Sequence, residues 1–359
     1  MDFPGSRYTL GHRPALDGLR GVAILLVLLC HIPRLPFGGG FIGVDLFFVL
    51  SGFLITSLLL EEWRKTGTVS LRAFYARRAL RLFPALFAML AAAVAISAGT
   101  ESDPAAAGMR RSALLTLLYA ANWFLAYDAY PREEIRPTWS LSIEEQFYVL
   151  WPLLLLLLLR LGWSARRMAF LAALGVLASA LARAIWWETT KSFPRVYFGL
   201  DTHSDGLLAG ALAAFLAHRG IQPETPRAAR MLNLFSFGMV GGLLLFATLG
   251  WPADPETLSR GTYLFLNLGM AALVFCAATS PSTGLRRMFE FAPLVWFGKL
   301  SYGLYLWHLI GFWIVPRSQV LPVEVRWPAA FGVSVLLAAA SYYLLERPFL
   351  TLKKRFARL

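Results

Sequence analysis

The chain has 359 residues, of which 57% are hydrophobic and 15% are charged, and its formal net charge at pH 7 is +13. Because a soluble globular protein has about a quarter of its residues charged, this composition excludes a disordered chain, a disulfide-stabilised secreted scaffold and most soluble enzymes. A positive charge of this size indicates either a nucleic-acid-binding protein or a membrane protein with basic cytoplasmic loops.

Eleven apolar segments follow one another along the chain. They cover residues 15–32, 41–62, 82–99, 112–127, 143–160, 168–187, 200–217, 231–250, 261–280, 290–315 and 327–346. A helix that crosses the hydrocarbon core needs about 20 largely apolar residues, and the fourth segment is short and contains Asn122. We therefore predict an all-α, polytopic transmembrane helix bundle with ten spans and one short re-entrant or interfacial segment, forming a single integral membrane domain over residues 1–359.

The distribution of basic residues favours ten spans. If the fourth segment does not cross, 21 of the 34 Lys and Arg residues lie on the side of the N-terminus and 10 on the other side. If all eleven segments cross, the two counts become 15 and 16. Because basic residues are retained in cytoplasmic loops, we expect both termini in the cytoplasm. The charge surplus then needs no nucleic-acid partner.

Ionisable side chains within the spans are costly and are therefore candidates for function. In the first segment, Arg20 lies toward the predicted inner end and His31 toward the outer end. Histidine titrates near neutrality and suits a general base that acts on a hydroxyl group, although His31 in this position would equally suit a cap on helix carbonyls. Asp45 and Glu144 also lie toward the outer ends of their segments, where either carboxylate would orient His31.

A basic sequence precedes the third segment. Arg77 and Arg81 are four residues apart, so they share one face of a helix. Two guanidinium groups on one face suit a polyanionic ligand such as a phosphate-bearing cofactor, whereas the alternatives are a basic stop sequence and a contact with anionic lipids. His308, in an aromatic sequence of the tenth segment, is interpreted as a packing residue that also forms a hydrogen bond.

Six motifs, in the same order along nearly the whole chain, resemble those of the membrane acyltransferase 3 family. They are Arg13-Pro-Ala-Leu-Asp17-Gly-Leu-Arg20 with His31, Gly43-Val-Asp45-Leu-Phe-Phe-Val-Leu-Ser51-Gly52, Arg77-x-x-x-Arg81 with Phe83-Pro84, Asn122-Trp123 with Trp139-Ser-Leu-Ser-Ile-Glu144-Glu-Gln146-Phe147-Tyr148, Ser301-Tyr302-Gly-Leu-Tyr305-Leu-Trp307-His308, and Tyr343-x-x-Glu346-x-Pro348. The resemblance implies transfer of an acyl group, usually acetyl from acetyl-CoA, to a hydroxyl group of a carbohydrate or other acceptor at the outer face of a bacterial-type inner membrane.

The resemblance, together with the residues themselves, gives three groups of candidate site residues. The catalytic candidates are His31, Asp45 and Glu144. The candidates for binding the acyl-CoA cofactor are Arg77, Arg81 and Arg20. The candidates for substrate binding are Trp139, Tyr148, His203 and Asp205. The two cysteines have no metal-type spacing, and we expect no metal site.

The expected partners are acyl-CoA, a carbohydrate or lipid-linked glycan acceptor, and membrane lipids. Some relatives carry a soluble SGNH-type esterase domain at the C-terminus, which we expect to be absent here, with the basic residues at 353–358 acting as an inner-face anchor. The alternative function is a non-enzymatic transporter or flippase of a lipid-linked glycan. Polar residues within spans suit such a protein, but the sequence has no clear inverted repeat to support it.

Overall fold

The computed structural model describes residues 8–130, 132–221, 225–249, 254–279, 284–317 and 320–352. Over these ranges the chain is predominantly helical and contains no strand. The α-helices are α1 (Pro14–Cys30), α2 (Ile42–Thr66), α3 (Leu71–Thr100), α4 (Asp103–Leu117), α5 (Ala121–Ala126), α6 (Trp139–Arg160), α7 (Ala165–Thr190), α8 (Phe193–Phe198), α9 (Leu200–His203), α10 (Asp205–His218), α11 (Pro226–Leu249), α12 (Pro255–Thr257), α13 (Tyr263–Thr279), α14 (Gly284–Phe289), α15 (Ala292–Ile314), α16 (Val323–Ala340) and α17 (Arg347–Leu352). The basic anchor predicted at residues 353–358 lies outside the described residues.

Seven helical stretches in the described ranges are long and apolar enough to cross a membrane. They are Gly38–Thr66, Leu71–Thr100, Glu134–Arg160, Ala165–Thr190, Arg230–Leu249, Pro255–Thr279 and Val323–Leu352. Three further helices pack within the bundle: α1 and α15 lie against each other, and α10 contacts α2, α7 and α13. The predicted helical membrane bundle is confirmed, whereas the number of ten spans stays a prediction.

The fourth apolar segment does not form one continuous helix. Helix α4 ends at Leu117 and α5 begins at Ala121, and Tyr119 between them has a φ of 52° in the left-handed region. With six residues and a rise of 1.5 Å per residue, α5 is about 9 Å long, whereas the hydrocarbon core is about 30 Å thick. This break is consistent with the short re-entrant or interfacial segment predicted from the sequence.

Helix α3 begins well before the apolar segment predicted at residue 82. Ser70 caps its first turn by accepting a hydrogen bond from the main-chain N–H of Ala73 at 3.3 Å, an arrangement that stabilises a helix N-terminus. The arginines that follow are good helix formers. As a result, Arg77, Arg78 and Arg81 all lie on α3 itself rather than in a loop.

A close crossing of α1 and α15 holds an arginine inside the bundle. A Cβ atom on Gly298 of α15 would overlap the main-chain oxygen of Asp17 in α1, so glycine permits the two backbones to approach. One turn further along, the Arg20 guanidinium donates hydrogen bonds of 3.1 and 3.2 Å to the Ser301 hydroxyl. The crossing therefore fixes the position of Arg20.

A buried ionic network lies on the other side of α2. Arg183 of α7 donates two hydrogen bonds, of 3.1 and 2.8 Å, to the carboxylate of Asp205 at the start of α10, and both side chains are almost completely buried. Nearby, His203 Nε2 lies 2.9 Å from Asp45 Oδ1 of α2, and the Trp139 ring packs 5.5 Å from the His203 ring. Each carboxylate has a nitrogen partner, and the network joins α2, α7, α9 and α10.

Replacing Asp205 by asparagine is expected to destabilise the folded protein by about 3–5 kcal/mol, because it leaves the Arg183 guanidinium buried without its counter-charge. Thermal unfolding of the purified protein in detergent measures this change. The matched control is Glu188→Gln, since Glu188 is about half exposed in its ion pairs with Lys191 and Arg260, and loss of an exposed pair changes stability by about 1 kcal/mol or less.

A wild-type melting temperature for Asp205→Asn, combined with a weakened affinity for acceptor, would contradict a structural role for this ion pair. It would instead support the substrate-binding role that the sequence suggests for Asp205.

Candidate active site

A cavity of about 490 Å³ lies at the end of the bundle where α1 begins, which is the predicted cytoplasmic end. Four arginines line it: Arg13 just before α1, Arg20 from α1, and Arg78 and Arg81 from α3. The other polar residues of its wall are His12, Asp17, Ser51, Glu144, Tyr148 and Tyr302. We call this space the arginine cavity, and it brings together two of the three predicted cofactor-binding residues.

Arg20 and Arg81, within the bundle, have no carboxylate bonded to them. Arg78 forms an ion pair of 2.8 Å with Glu145 and lies 3.4 Å above the centre of the Tyr148 ring. Arg20 bonds to a serine hydroxyl, and neither Arg20 nor Arg81 forms an ion pair with another described residue. Both side chains are half-buried, and the carboxylates of Asp17 and Glu144 lie in the same wall without being bonded to them. Guanidinium groups that have no bonded carboxylate suit an anionic ligand.

The arginine pair that lines the cavity differs from the pair expected from the sequence. Arg77 points to α2, where its guanidinium lies 3.3 Å from the buried carboxylate of Glu62, and it does not line the arginine cavity. Arg78 takes the place expected for Arg77. Residues three apart share a helix face as well as residues four apart, so spacing alone could not distinguish Arg78 from Arg77. The position of Glu62 on the neighbouring helix decides between them.

A narrow cavity of about 50 Å³ continues from the arginine cavity into the bundle. The residues that line both are Arg20, Ser51, Glu144 and Tyr302. The narrow cavity ends at Tyr305 of α15, whose hydroxyl donates to the main-chain oxygen of Pro137 at 2.6 Å and lies 2.6 Å from the Ser140 hydroxyl. Because Pro137 lines the next cavity along the bundle, Tyr305 forms the partition between the two spaces.

The third cavity, of about 370 Å³, lies at the end of the bundle where α1 ends. His31 and His308 line it, with ring centres 5.2 Å apart, and we call it the histidine cavity. The other lining residues are Glu134, Arg136, Pro137, Leu309, Phe312, Trp313 and Arg317. His31 Nδ1 lies 2.7 Å from the main-chain oxygen of Val27. Because a carbonyl oxygen only accepts hydrogen bonds, Nδ1 carries the proton and Nε2 of the neutral ring is free to accept one.

The two carboxylates expected to orient His31 lie elsewhere. Asp45 is buried against His203 in the ionic network. Glu144 accepts a hydrogen bond of 2.9 Å from Ser51 and lines the arginine cavity, although its place near the start of α6 suggested the outer end. In the structure, the main-chain oxygen of Val27 holds the His31 ring, so the expected orientation by Asp45 or Glu144 is corrected.

The predicted substrate-binding residues also separate in the structure. Tyr148 lines the arginine cavity. His203 and Asp205 are held in the ionic network, and Trp139 packs against His203, so none of these three lines any of the three cavities along α1. The polarity of these residues identified them as unusual for a membrane span, but it did not reveal that they have each other as partners.

Comparison with known proteins gives one family and several relatives. A family model described as an acyltransferase domain matches residues 13–346. Peptidoglycan O-acetyltransferase OatA of Listeria monocytogenes is 32% identical over 356 residues, which are 96% of this chain and 56% of the relative. The putative peptidoglycan O-acetyltransferase YrhL of Bacillus subtilis is 34% identical over the same shares. A putative O-acetyltransferase of Staphylococcus aureus is 31% identical over 94% of this chain and 57% of the relative.

The chain thus spans little more than half the length of these curated relatives. No solved structure matches it. The family match begins at Arg13 of the first motif and ends at Glu346 of the last, and it therefore includes the arginines of the arginine cavity and both histidines of the histidine cavity. The resemblance seen in the sequence is confirmed, and the chain belongs to the membrane acyltransferase 3 family.

Proposed function

We propose that the chain transfers an acetyl group from acetyl-CoA, bound at the cytoplasmic end of the bundle, to a hydroxyl group of a carbohydrate at the outer face of a bacterial inner membrane. The observation that carries this proposal is the arginine cavity, in which Arg20 and Arg81 have no carboxylate bonded to them. Guanidinium groups bind phosphate oxygens strongly, and coenzyme A carries phosphate groups on the same molecule as its acyl thioester.

The narrow cavity supplies the route for the thioester. With the phosphates at the arginines, the flexible arm of the donor extends past Ser51 toward Tyr305, along the residues that line both spaces. Arg20 and His31 are eleven residues apart, which corresponds to about 16 Å along a helix axis. A thioester on a long flexible arm spans this distance once the Tyr305 side chain moves aside.

His31 then acts as the general base. Its Nε2 takes the proton of the acceptor hydroxyl while the hydroxyl oxygen attacks the thioester carbonyl carbon. The new C–O bond forms, the C–S bond breaks, and the proton passes from His31 to the thiolate, so that coenzyme A leaves as the thiol. The hydrogen bond from Nδ1–H to the Val27 oxygen keeps Nε2 free and stabilises the ring when it becomes positively charged.

The acceptor class follows from the relatives. Two of them are named as peptidoglycan O-acetyltransferases, one of them as putative, so soluble peptidoglycan fragments are the first acceptors to test. The alternative function, a glycan transporter or flippase, would move the glycan without attaching an acetyl group to it.

Replacing Arg81 by glutamine is expected to raise the acetyl-CoA concentration needed for half-maximal rate roughly ten- to hundred-fold, because a hydrogen bond to a charged phosphate is lost. The measurement is the initial rate at which label passes from radiolabelled acetyl-CoA to peptidoglycan fragments, as a function of acetyl-CoA concentration. Arg72→Gln is the matched control, since Arg72 is exposed on the same helix and does not line the arginine cavity.

An Arg81→Gln variant with the wild-type dependence on acetyl-CoA would contradict a donor site in the arginine cavity. Glycan that crosses wild-type membranes without acquiring label would favour the transporter or flippase.

A further inference from the structure

The histidine cavity contains a second imidazole with the same arrangement as His31. His308 Nδ1 lies 3.1 Å from the main-chain oxygen of Leu304, so Nδ1 carries the proton and Nε2 of the neutral ring is the accepting nitrogen. His308 is completely buried, and its Nε2 has no hydrogen-bond partner among the residues that the structure describes. A buried polar atom without a partner is unusual in a folded protein, so this nitrogen requires an explanation.

The neighbouring His31 cannot supply the missing hydrogen bond. The two rings are 5.2 Å apart at an angle of 64°, and each donates its Nδ1 proton to the carbonyl of its own helix. Both residues line one cavity, and in this tautomer each neutral ring has an accepting Nε2 and no proton to share with the other. A ligand that satisfies both must therefore carry two donors close together.

The rest of the cavity wall suits a sugar ring. Phe312 lies 5.7 Å from the His308 ring, and it forms the apolar side of the cavity together with Trp313. Of the two arginines in the wall, Arg317 lies 3.3 Å from the Glu134 carboxylate and Arg136 lies over the Phe198 ring. Aromatic surface beside a few polar groups, in a volume within the usual range of about 300–1,000 Å³, is typical of a small-molecule site.

We propose that the histidine cavity binds the acceptor carbohydrate through two neighbouring hydroxyl groups. The reacting hydroxyl donates to Nε2 of His31, and the second hydroxyl donates to Nε2 of His308. This inference deepens the proposed function and rests on it. His308 accepts a hydrogen bond and no proton is transferred to it, so the group-transfer step is unchanged. The packing role assigned to His308 from the sequence is thereby extended to a role in selecting acceptors that carry a second hydroxyl beside the reacting one.

The test combines a change in the protein with a change in the acceptor. The variant His308→Phe keeps an aromatic ring and removes Nε2, and the altered acceptors lack one hydroxyl. The acceptor KM of His308→Phe is expected to rise roughly five- to ten-fold, as for the loss of one neutral hydrogen bond, while the KM for acetyl-CoA stays unchanged. For the wild type, the KM is expected to rise by the same factor for a deoxy form of the peptidoglycan fragment that lacks a hydroxyl beside the one that is acetylated. The variant acting on the deoxy acceptor is expected to show no further loss, because both changes remove one and the same hydrogen bond.

Two results would overturn the inference: losses that multiply when the variant and the deoxy acceptor are combined, or an unchanged acceptor KM for His308→Phe. Should this variant fail to fold, His308→Gln, whose amide oxygen also accepts, is expected to retain the discrimination between the two acceptors. The wild type alone also tests the point, since equal KM values for the parent and every singly deoxy acceptor would contradict a second hydroxyl contact.

The variant His31→Ala separates this inference from the function on which it rests. Its transfer rate is expected to fall at least about 100-fold, the usual contribution of a general base. Loss of transfer in His31→Ala with an unchanged acceptor KM in His308→Phe overturns the inference alone. Undiminished transfer in His31→Ala, or no labelled glycan with the wild type, overturns the proposed function.

Discussion

Charged side chains within an apolar helix bundle must be paired or must line a polar space, because an isolated charge there is very costly. The structure depends on how each charge meets this requirement. Arg183 is neutralised by Asp205, and Arg78 by Glu145, so these two pairs hold helices together. Arg20 has no carboxylate partner and meets the requirement in the second way. The crossing of α1 and α15 instead holds it against the Ser301 hydroxyl at the wall of a cavity, where a ligand can provide the missing negative charge.

The same constraint gives the two ends of the bundle different chemistry. Guanidinium groups gather at the end where α1 begins, whereas two imidazoles with free accepting nitrogens face a cavity at the end where α1 finishes. Tyr305 and the narrow cavity lie between them. Under the proposed function, an anionic donor and a hydroxyl-bearing acceptor would bind at the two ends of a single helix. This arrangement suits a family that acylates hydroxyl groups, and Tyr305 is the side chain that lies between the two spaces.

The helical fold could be predicted from the sequence, since apolar length determines which segments are helices. The fourth segment, which is short and contains Asn122, forms no continuous helix, and the direction of the spans stays a prediction from the basic residues. The partners of individual polar residues could not be predicted. Arg77 and Arg78 are equally compatible with the helical repeat, and only Glu62 on α2 separates them. Likewise, Asp45 and His31 belong to neighbouring segments, yet the partner of Asp45 is His203, 158 positions away in the chain. Such pairings depend on the lateral order of helices, which linear spacing does not contain.

The central claim is that donor and acceptor occupy opposite ends of one path through the bundle. The most direct measurement reconstitutes the purified protein into sealed vesicles and supplies membrane-impermeant substrates, radiolabelled acetyl-CoA and a soluble glycan, either on opposite sides or on the same side. In a mixed population of orientations, the account predicts labelled glycan when acetyl-CoA is sealed inside and the glycan is outside, and none when both substrates are outside. Equal labelling with both substrates on the same side would contradict transfer across the membrane.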